Sequence, residues 1–247
     1  MKVGVYGLGR FGFFWSSVLS NRFDVCGYNR TPLNSAPRGV KLVSEDEVLS
    51  CDALFLCVAI SSLERVLAGI APRLRPQTVV MDTCSVKVYP ARLMEQLLPG
   101  RIGIIATHPM FGPDSASGGR GVEGLPMVVA PVRAEDETAR FWKSEFAAMG
   151  LRVAEMTPDD HDREAAYTQG ITHFIGRVLE DLSLSPSLIA TKGYAKLLEI
   201  VQQTCNDPYQ LFLDLQRYNP YTWKMREDLS RSVQRVLESI SLGADSP

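Results

Sequence analysis

The sequence predicts an α/β domain on a mostly parallel sheet, followed by an all-helical domain, with the boundary at 156/157. Three observations carry that expectation. Up to residue 156, short apolar runs alternate with helical patterns, the order of a parallel sheet covered by helices on both faces. Several of these runs are apolar throughout, as strands buried on both sides are. From 157 to 247, apolar residues recur only at helical spacing, with no strand signal.

The first strand is KVGVYG (2–7), and a helix follows over 10–21. FDVCGY (23–28), ALFLCVA (53–59), TVVMDT (78–83), IGIIAT (102–107) and LRVAEM (151–156) continue the sheet, with helices over 61–73, 89–98 and 135–149. PMVVAP (126–131) has no long helix before it and is expected as an antiparallel addition. In TPDDHDREAA, Thr157 caps a helix, Pro158 stands in its first turn, and acids face the positive end of its dipole. That helix carries Tyr167, Ile171, Phe174 or Ile175, Val178 and Leu182. A second carries Tyr194, Leu197, Leu198 and Val201, and a last one Leu229, Val233, Val236 and Ile240.

Composition narrows the function classes. A formal net charge of -2 gives no ground for nucleic acid or an anionic membrane surface as partner. No apolar run approaches the ~18–20 residues that span a bilayer. The chain enters its first strand directly after Met1 and Lys2, without a signal peptide, which is read as a cytoplasmic protein. Five cysteines (Cys26, Cys51, Cys57, Cys84 and Cys205) form no C-x-x-C pair, so reduced thiols and no metal are expected. Cys84, beside Ser85, is the thiol to watch for reactivity, with a small packing residue as the favoured reading.

Chemistry concentrates at strand ends. Gly7, Gly9 and Gly12 stand in G-x-G-x-x-G spacing, enclosing Arg10 and Phe11, between the first strand and the first helix. In that context Gly7 permits the tight turn, Gly9 lets backbone approach a pyrophosphate, and Gly12 lets helix and strand pack closely. The helix N-terminus then faces the phosphates. An NAD site normally places an acid at the end of the second strand; here Asn29, Arg30 and Thr31 stand there instead. A carboxylate would repel a 2′-phosphate, whereas Arg pairs with one through two parallel donors, so NADP is expected over NAD. Ser85 and Lys87 follow the fourth apolar run and His108 the fifth. Parallel strands present their carboxyl ends together, which places Ser85 and His108 near the nicotinamide. In the helical domain, His173 sits in an otherwise apolar helix, with Gln169 one turn before it. Taken alone, such a histidine is equally read as a hydrogen-bonded core residue.

Five segments, GLGRFG, DTCSVK, THPMFGPDSA, HDREAAYTQGITHFIGRVLE and TKGYAKLLEIVQQT, together resemble the prephenate/arogenate dehydrogenases of tyrosine biosynthesis. The resemblance runs in order from Gly7 to about Trp223 and is nearest to the arogenate-type branch of plants and some bacteria. It implies a Rossmann-type domain over 1–156 and a helical domain over 157–247 through which two subunits form a homodimer. It also implies an oxidative decarboxylation: the nicotinamide takes hydride from the ring carbon bearing the hydroxyl, carbon dioxide leaves, and the ring becomes aromatic. His108 matches the family's catalytic histidine, which accepts the hydroxyl proton. Imidazole suits that task because it changes charge near neutral pH. Ser85 matches a serine that hydrogen-bonds the same hydroxyl, and His173 a histidine facing the substrate. His161, at a helix start, is read either as orienting its neighbours or as a capping residue.

The substrate's two carboxylates need cationic or amide donors. The Arg that many bacterial members bring from the helical domain has no counterpart in TKGY (191–194), so Gln169, Thr172 and Lys192 are expected to bind substrate in its place, with Arg217 and Arg120 as looser candidates. Asp114 is a candidate acid for the ammonium of arogenate. Two rivals remain open at this point. An NADP-dependent 3-hydroxyacid dehydrogenase would rely on a helix-borne lysine, and a catalytically silent NADP-binding sensor would dispense with His108 or Ser85.

Overall fold

The structure is a computed structural model, which describes residues 1–116 and 121–242. It divides into two compact units, Met1–His161 and Asp162–Pro247. The division falls inside the helix that the sequence expects to open the second domain, five residues beyond 156/157.

Eight strands form the sheet of the first unit: β1 (Lys2–Tyr6), β2 (Asp24–Tyr28), β3 (Val40–Leu42), β4 (Ala53–Leu56), β5 (Val79–Asp82), β6 (Gly103–Pro109), β7 (Pro126–Arg133) and β8 (Arg152–Glu155). Their order is β3-β2-β1-β4-β5-β6-β7-β8. All neighbours are parallel except β6 and β7, which are antiparallel as the missing helix predicts. The chain order reverses between β2-β1 and β4-β5, so the turn after β1 opens at the switch point, where α/β sheets bind ligands.

The uniformly apolar runs are the strands covered on both faces: all four residues of β4 are buried, as are Val3 and Val5 of β1. Helices α1 (Arg10–Leu19), α2 (Glu45–Leu49), α3 (Leu63–Ile70), α4 (Val88–Leu97), α5 (Pro113–Ala116) and α6 (Asp136–Ala148) flank the sheet. On one face Trp15 of α1 and Trp142 and Phe146 of α6 pack edge-on or tilted around Phe55 of β4, with ring centroids 5.5–6.4 Å apart.

Four elements escape the sequence reading, namely β3, α2, α5 and the helix over Tyr209–Tyr218 in the second unit. β3 buries only Val40, so it has no apolar run to betray it. A local cap defines α2, where Ser44 accepts from Glu47 N at 3.3 Å.

The second unit contains helices only, among its described residues. α7 (Pro158–Ala165) leads into it, and Thr157 accepts from Asp160 N at 3.1 Å as the expected cap. A π-helical turn (Ala166–Gly170) joins α7 to α8 (Ile171–Asp181), and α9 (Lys192–Cys205), α10 (Tyr209–Tyr218) and α11 (Thr222–Leu242) follow. α9 lies close on α8: a Cβ at Gly176 would stand 2.0 Å from Thr204 Oγ1. No helix among the described residues is long and apolar enough to cross a membrane.

Candidate active site

The cofactor cradle is built by steric necessity. Gly7 has φ +96°, and a Cβ there would meet Cys57 O at 2.5 Å. A Cβ on Gly12 would fall 1.9 Å from Gly7 O, so α1 can lie against the turn only with glycine at that position. Gly9 caps α1 in extended conformation, and a Cβ built on it meets nothing within 4 Å. This combination of a bare backbone approach and an open helix N-terminus fits a dinucleotide pyrophosphate.

The neighbouring candidates take distinct parts. Asn29 shapes the turn, accepting from Leu8 N at 2.9 Å and donating from Nδ2 to Thr31 O at 2.8 Å. Arg30 and Thr31 are exposed beyond it. Phe11 lies face to face with Trp15, centroids 6.2 Å apart, and so backs the cradle from the core side. Arg10 forms an ion pair with Asp114 at 2.5 Å, which ties the glycine turn to the segment after His108 and gives Asp114 a cationic partner within the protein.

His108 does not follow its strand, as the sequence suggests, but is the sixth of seven residues in β6. The parallel ladder with β5 stops at Asp82↔Ala106, while antiparallel β7 carries the pairing on to Pro109, opposite Met127. The extra length comes from that antiparallel partner. His108 is 3% exposed, and its Nδ1 lies 2.8 Å from Nε2 of His161, itself 2% exposed. One ring must donate there and the other accept. Ser85 lies three residues beyond β5, 6% exposed, and its Oγ has no hydrogen-bond partner among the described residues. A buried hydroxyl left so is poised for a ligand. Its neighbour Cys84 is a packing residue, with burial pushing the thiol well above its ordinary range. The cradle and His108 are separated by three inter-strand spacings, roughly 14 Å.

Within the second unit, Gln169 and His173 stand four residues apart on successive turns. Gln169 Oε1 and His173 Nδ1 are both buried without a partner among the described residues. Burial pushes the His173 imidazole below its ordinary pKa, against the opposing pull of Asp207 and helped by Arg177. Thr172 donates to Thr168 O at 2.8 Å, a bond within its own helix. Lys192 is exposed in the first turn of α9, twelve residues and about 18 Å before Thr204, the residue that packs on α8 at Gly176. The unit itself therefore does not bring Lys192 to His173. Arg217 is exposed at the end of α10, and Arg120 lies outside the described residues.

Comparison with known proteins decides the family. The family described as prephenate dehydrogenase, nucleotide-binding domain, matches residues 23–148, just over half of the chain. Arogenate dehydrogenase 2, chloroplastic, of Arabidopsis thaliana is 36% identical over 253 residues, covering 97% of this chain and 70% of its own length. The chain belongs to the prephenate/arogenate dehydrogenase family. It is an NAD(P)-dependent oxidoreductase of tyrosine biosynthesis, acting by oxidative decarboxylation. That sets the hydroxyacid dehydrogenase and the silent sensor aside.

Other relatives agree. Arogenate dehydrogenase 1, chloroplastic, of the same plant is 36% identical over 92% of this chain, which spans only 37% of that longer protein. A family described as TYRAAT1-like, C-terminal domain, matches residues 178–243. Crystal structures of prephenate dehydrogenase from A. aeolicus in complex with hydroxyphenyl propionate and NAD+ (TM-score 0.76, 18% identity, 100% of this chain and 92% of that one) and of Synechocystis arogenate dehydrogenase (0.72, 21%, 99% and 94%) share the fold.

Sequence reasoning passed over two charged residues whose surroundings only the fold defines. It read Lys87 only as a companion of Ser85, although Lys87 is fully buried and paired with Asp82. It also passed over Arg177, which lies against the rings of Tyr209 and Phe212 at 5.2 and 5.8 Å and pairs with Glu180. Nothing in the local pattern marks Lys87 as buried or Arg177 as packed on aromatic rings; only the tertiary packing does.

Proposed function

We propose that this enzyme oxidises arogenate with NADP, as a homodimer, and that His108 is its proton acceptor. The observation that carries the reading is the buried contact of His108 on β6 with His161, next to the strand whose exit holds the Ser85 hydroxyl, unpartnered among the described residues. When bound, the nicotinamide accepts hydride from the ring carbon bearing the hydroxyl. In the tautomer we propose, His108 Nδ1–H donates to His161 Nε2 and His108 Nε2 is the atom that takes the hydroxyl proton. Ser85 Oγ hydrogen-bonds the same hydroxyl and orients it. Gln169, Thr172 and His173 are the proposed substrate contacts, a neutral His173 acting by hydrogen bonding.

NADP is favoured because residues 29–31 offer no acid, Asn29 is occupied with the turn, and Arg30 is exposed for a 2′-phosphate. Arogenate is favoured by the names of the two Arabidopsis relatives. Homodimerisation is supported by an apolar stripe on α11, where Val233, Val236, Leu237 and Ile240 recur at helical spacing and each is more than half exposed. A cytoplasmic location belongs to the same proposal, in contrast with those chloroplastic relatives; cell fractionation tests it.

The test is the initial rate with arogenate and prephenate, each crossed with NADP and NAD, repeated for His108→Asn. Arogenate with NADP is the fastest pair, and His108→Asn lowers kcat by about 10²–10⁴-fold while NADP still binds. Near-normal turnover in the variant would remove His108 from the proton transfer.

A further inference from the structure

The parallel ladder between β5 and β6 ends at Asp82↔Ala106, yet the next residue of β6, Thr107, is not left open on the β5 side. Its N–H donates to Asp82 Oδ1 at 3.2 Å, its carbonyl accepts from Lys87 Nζ at 2.6 Å, and its hydroxyl donates to Asp82 O at 2.5 Å. Lys87 Nζ also donates to Asp82 Oδ2, which accepts in addition from Cys84 N at 3.0 Å. Two charged side chains thus occupy the place of the missing rung. Asp82, Lys87 and Thr107 are all fully buried, although full burial of a lysine is rare and costs desolvation that only close partners offset.

The location gives this arrangement its meaning. Asp82 and Lys87 bracket the turn bearing Ser85, and Thr107 immediately precedes His108. We infer that the Asp82–Lys87 pair is a buried strut that sets Ser85 against His108, and that Lys87 is a positioning residue for the reaction. Lys87 takes no proton from substrate; it fixes the Thr107 carbonyl and, through Asp82, the Cys84 amide, one residue from His108 and one from Ser85. A small displacement between two groups that share one substrate hydroxyl costs rate without costing cofactor affinity, since a misplacement of about 1 Å is worth about 100-fold. The inference rests on the proposed reaction at His108 and Ser85.

Removing one partner alone would strand a buried charge, so the test neutralises both. The variant Asp82→Asn with Lys87→Met leaves no uncompensated charge, and paired replacement of this kind is often neutral for stability. The expected result is a single cooperative thermal transition, NADP affinity within about threefold of the parent, and kcat per titrated NADP site lower by about 100-fold, with the acid limb of the pH–rate profile unmoved. A second variant, Lys87→Arg, keeps the charge. A guanidinium cannot direct one nitrogen at both Asp82 Oδ2 and Thr107 O in the space of an ammonium, so the same loss of kcat is expected. Turnover per NADP site within about threefold of the parent in either variant that folds would overturn the strut, as would an acid limb that shifts with Lys87. A parent inactive with both substrates would overturn the proposed reaction and the strut's part in it together.

Discussion

Gly9 and Gly12 lie three residues apart in one turn, but their substitution by alanine has different consequences. At Gly12 the new Cβ would stand 1.9 Å from Gly7 O and 3.0 Å from the Cys57 Cβ. The first obstacle is backbone and cannot swing aside, so α1 must retreat from β1 by about 1.5 Å to restore an ordinary contact. Overpacking of a filled interior costs about 1–3 kcal/mol, and a rigid obstacle puts this case at the upper end, about 3 kcal/mol. At Gly9 the new Cβ meets nothing within 4 Å, and its φ of -68° suits alanine. The weaker helix cap and the gain from a stiffer unfolded chain then nearly offset, within about 1 kcal/mol. What Gly9→Ala removes is the bare backbone on which the pyrophosphate rests. Urea unfolding and titration with NADP separate the two variants. Gly12→Ala lowers the unfolding midpoint and weakens NADP; Gly9→Ala leaves the midpoint near the parent's and weakens NADP by at least about tenfold, or about 1.4 kcal/mol. Unchanged NADP affinity in Gly9→Ala would refute the placement of the pyrophosphate at this turn.

Three further outcomes follow from named contacts. Arg30→Ala weakens NADP by about tenfold or more while NAD changes little, since only the former loses a phosphate partner; equal effects would mean the adenosine end lies elsewhere. His161→Phe keeps a ring of similar size but removes the acceptor 2.8 Å from His108 Nδ1, so kcat falls by about tenfold or more with NADP affinity retained; an unaltered kcat would reduce His161 to a packing residue. His173, whose folded pKa burial depresses, leaves the unfolded chain binding more protons below its ordinary value of about 6.5. Stability is therefore full above that pH and falls as pH drops below it toward the folded pKa, and His173→Gln flattens that acid-side decline in urea melts at pH 5 and pH 7.5. An identical decline in the variant would show that other groups cause it.

The extent of what the chain reveals by itself follows from which interactions are local. Period and burial are local properties, so the strands from KVGVYG to LRVAEM, the helices between them and the antiparallel character of 126–133 are legible in the amino-acid order. The glycine turn is legible for the same reason: its spacing encodes backbone that must come close, and the structure puts a carbonyl 1.9 Å from where a Cβ on Gly12 would be. The residues His108 and Ser85 are legible as chemistry-bearing groups at strand ends. Short elements held mainly by neighbours, such as β3 with one buried residue, leave no such trace.

The tertiary structure alone decides relations across long sequence separations. His108 and His161 are 53 residues apart, and only the folded first unit sets His108 Nδ1 2.8 Å from His161 Nε2. Asn29 stands in the sequence where an NAD site places an acid, and only the fold shows its Oδ1 accepting from Leu8 N. Lys87 stands in the sequence only as a companion of Ser85 after a strand; the fold encloses it between β5 and β6 with Asp82 and Thr107. A sequence pattern reports which face a residue prefers. Which polar group offsets the burial of another depends on the strands the fold places side by side, because hydrogen bonds and buried charge pairs act only over a few ångströms.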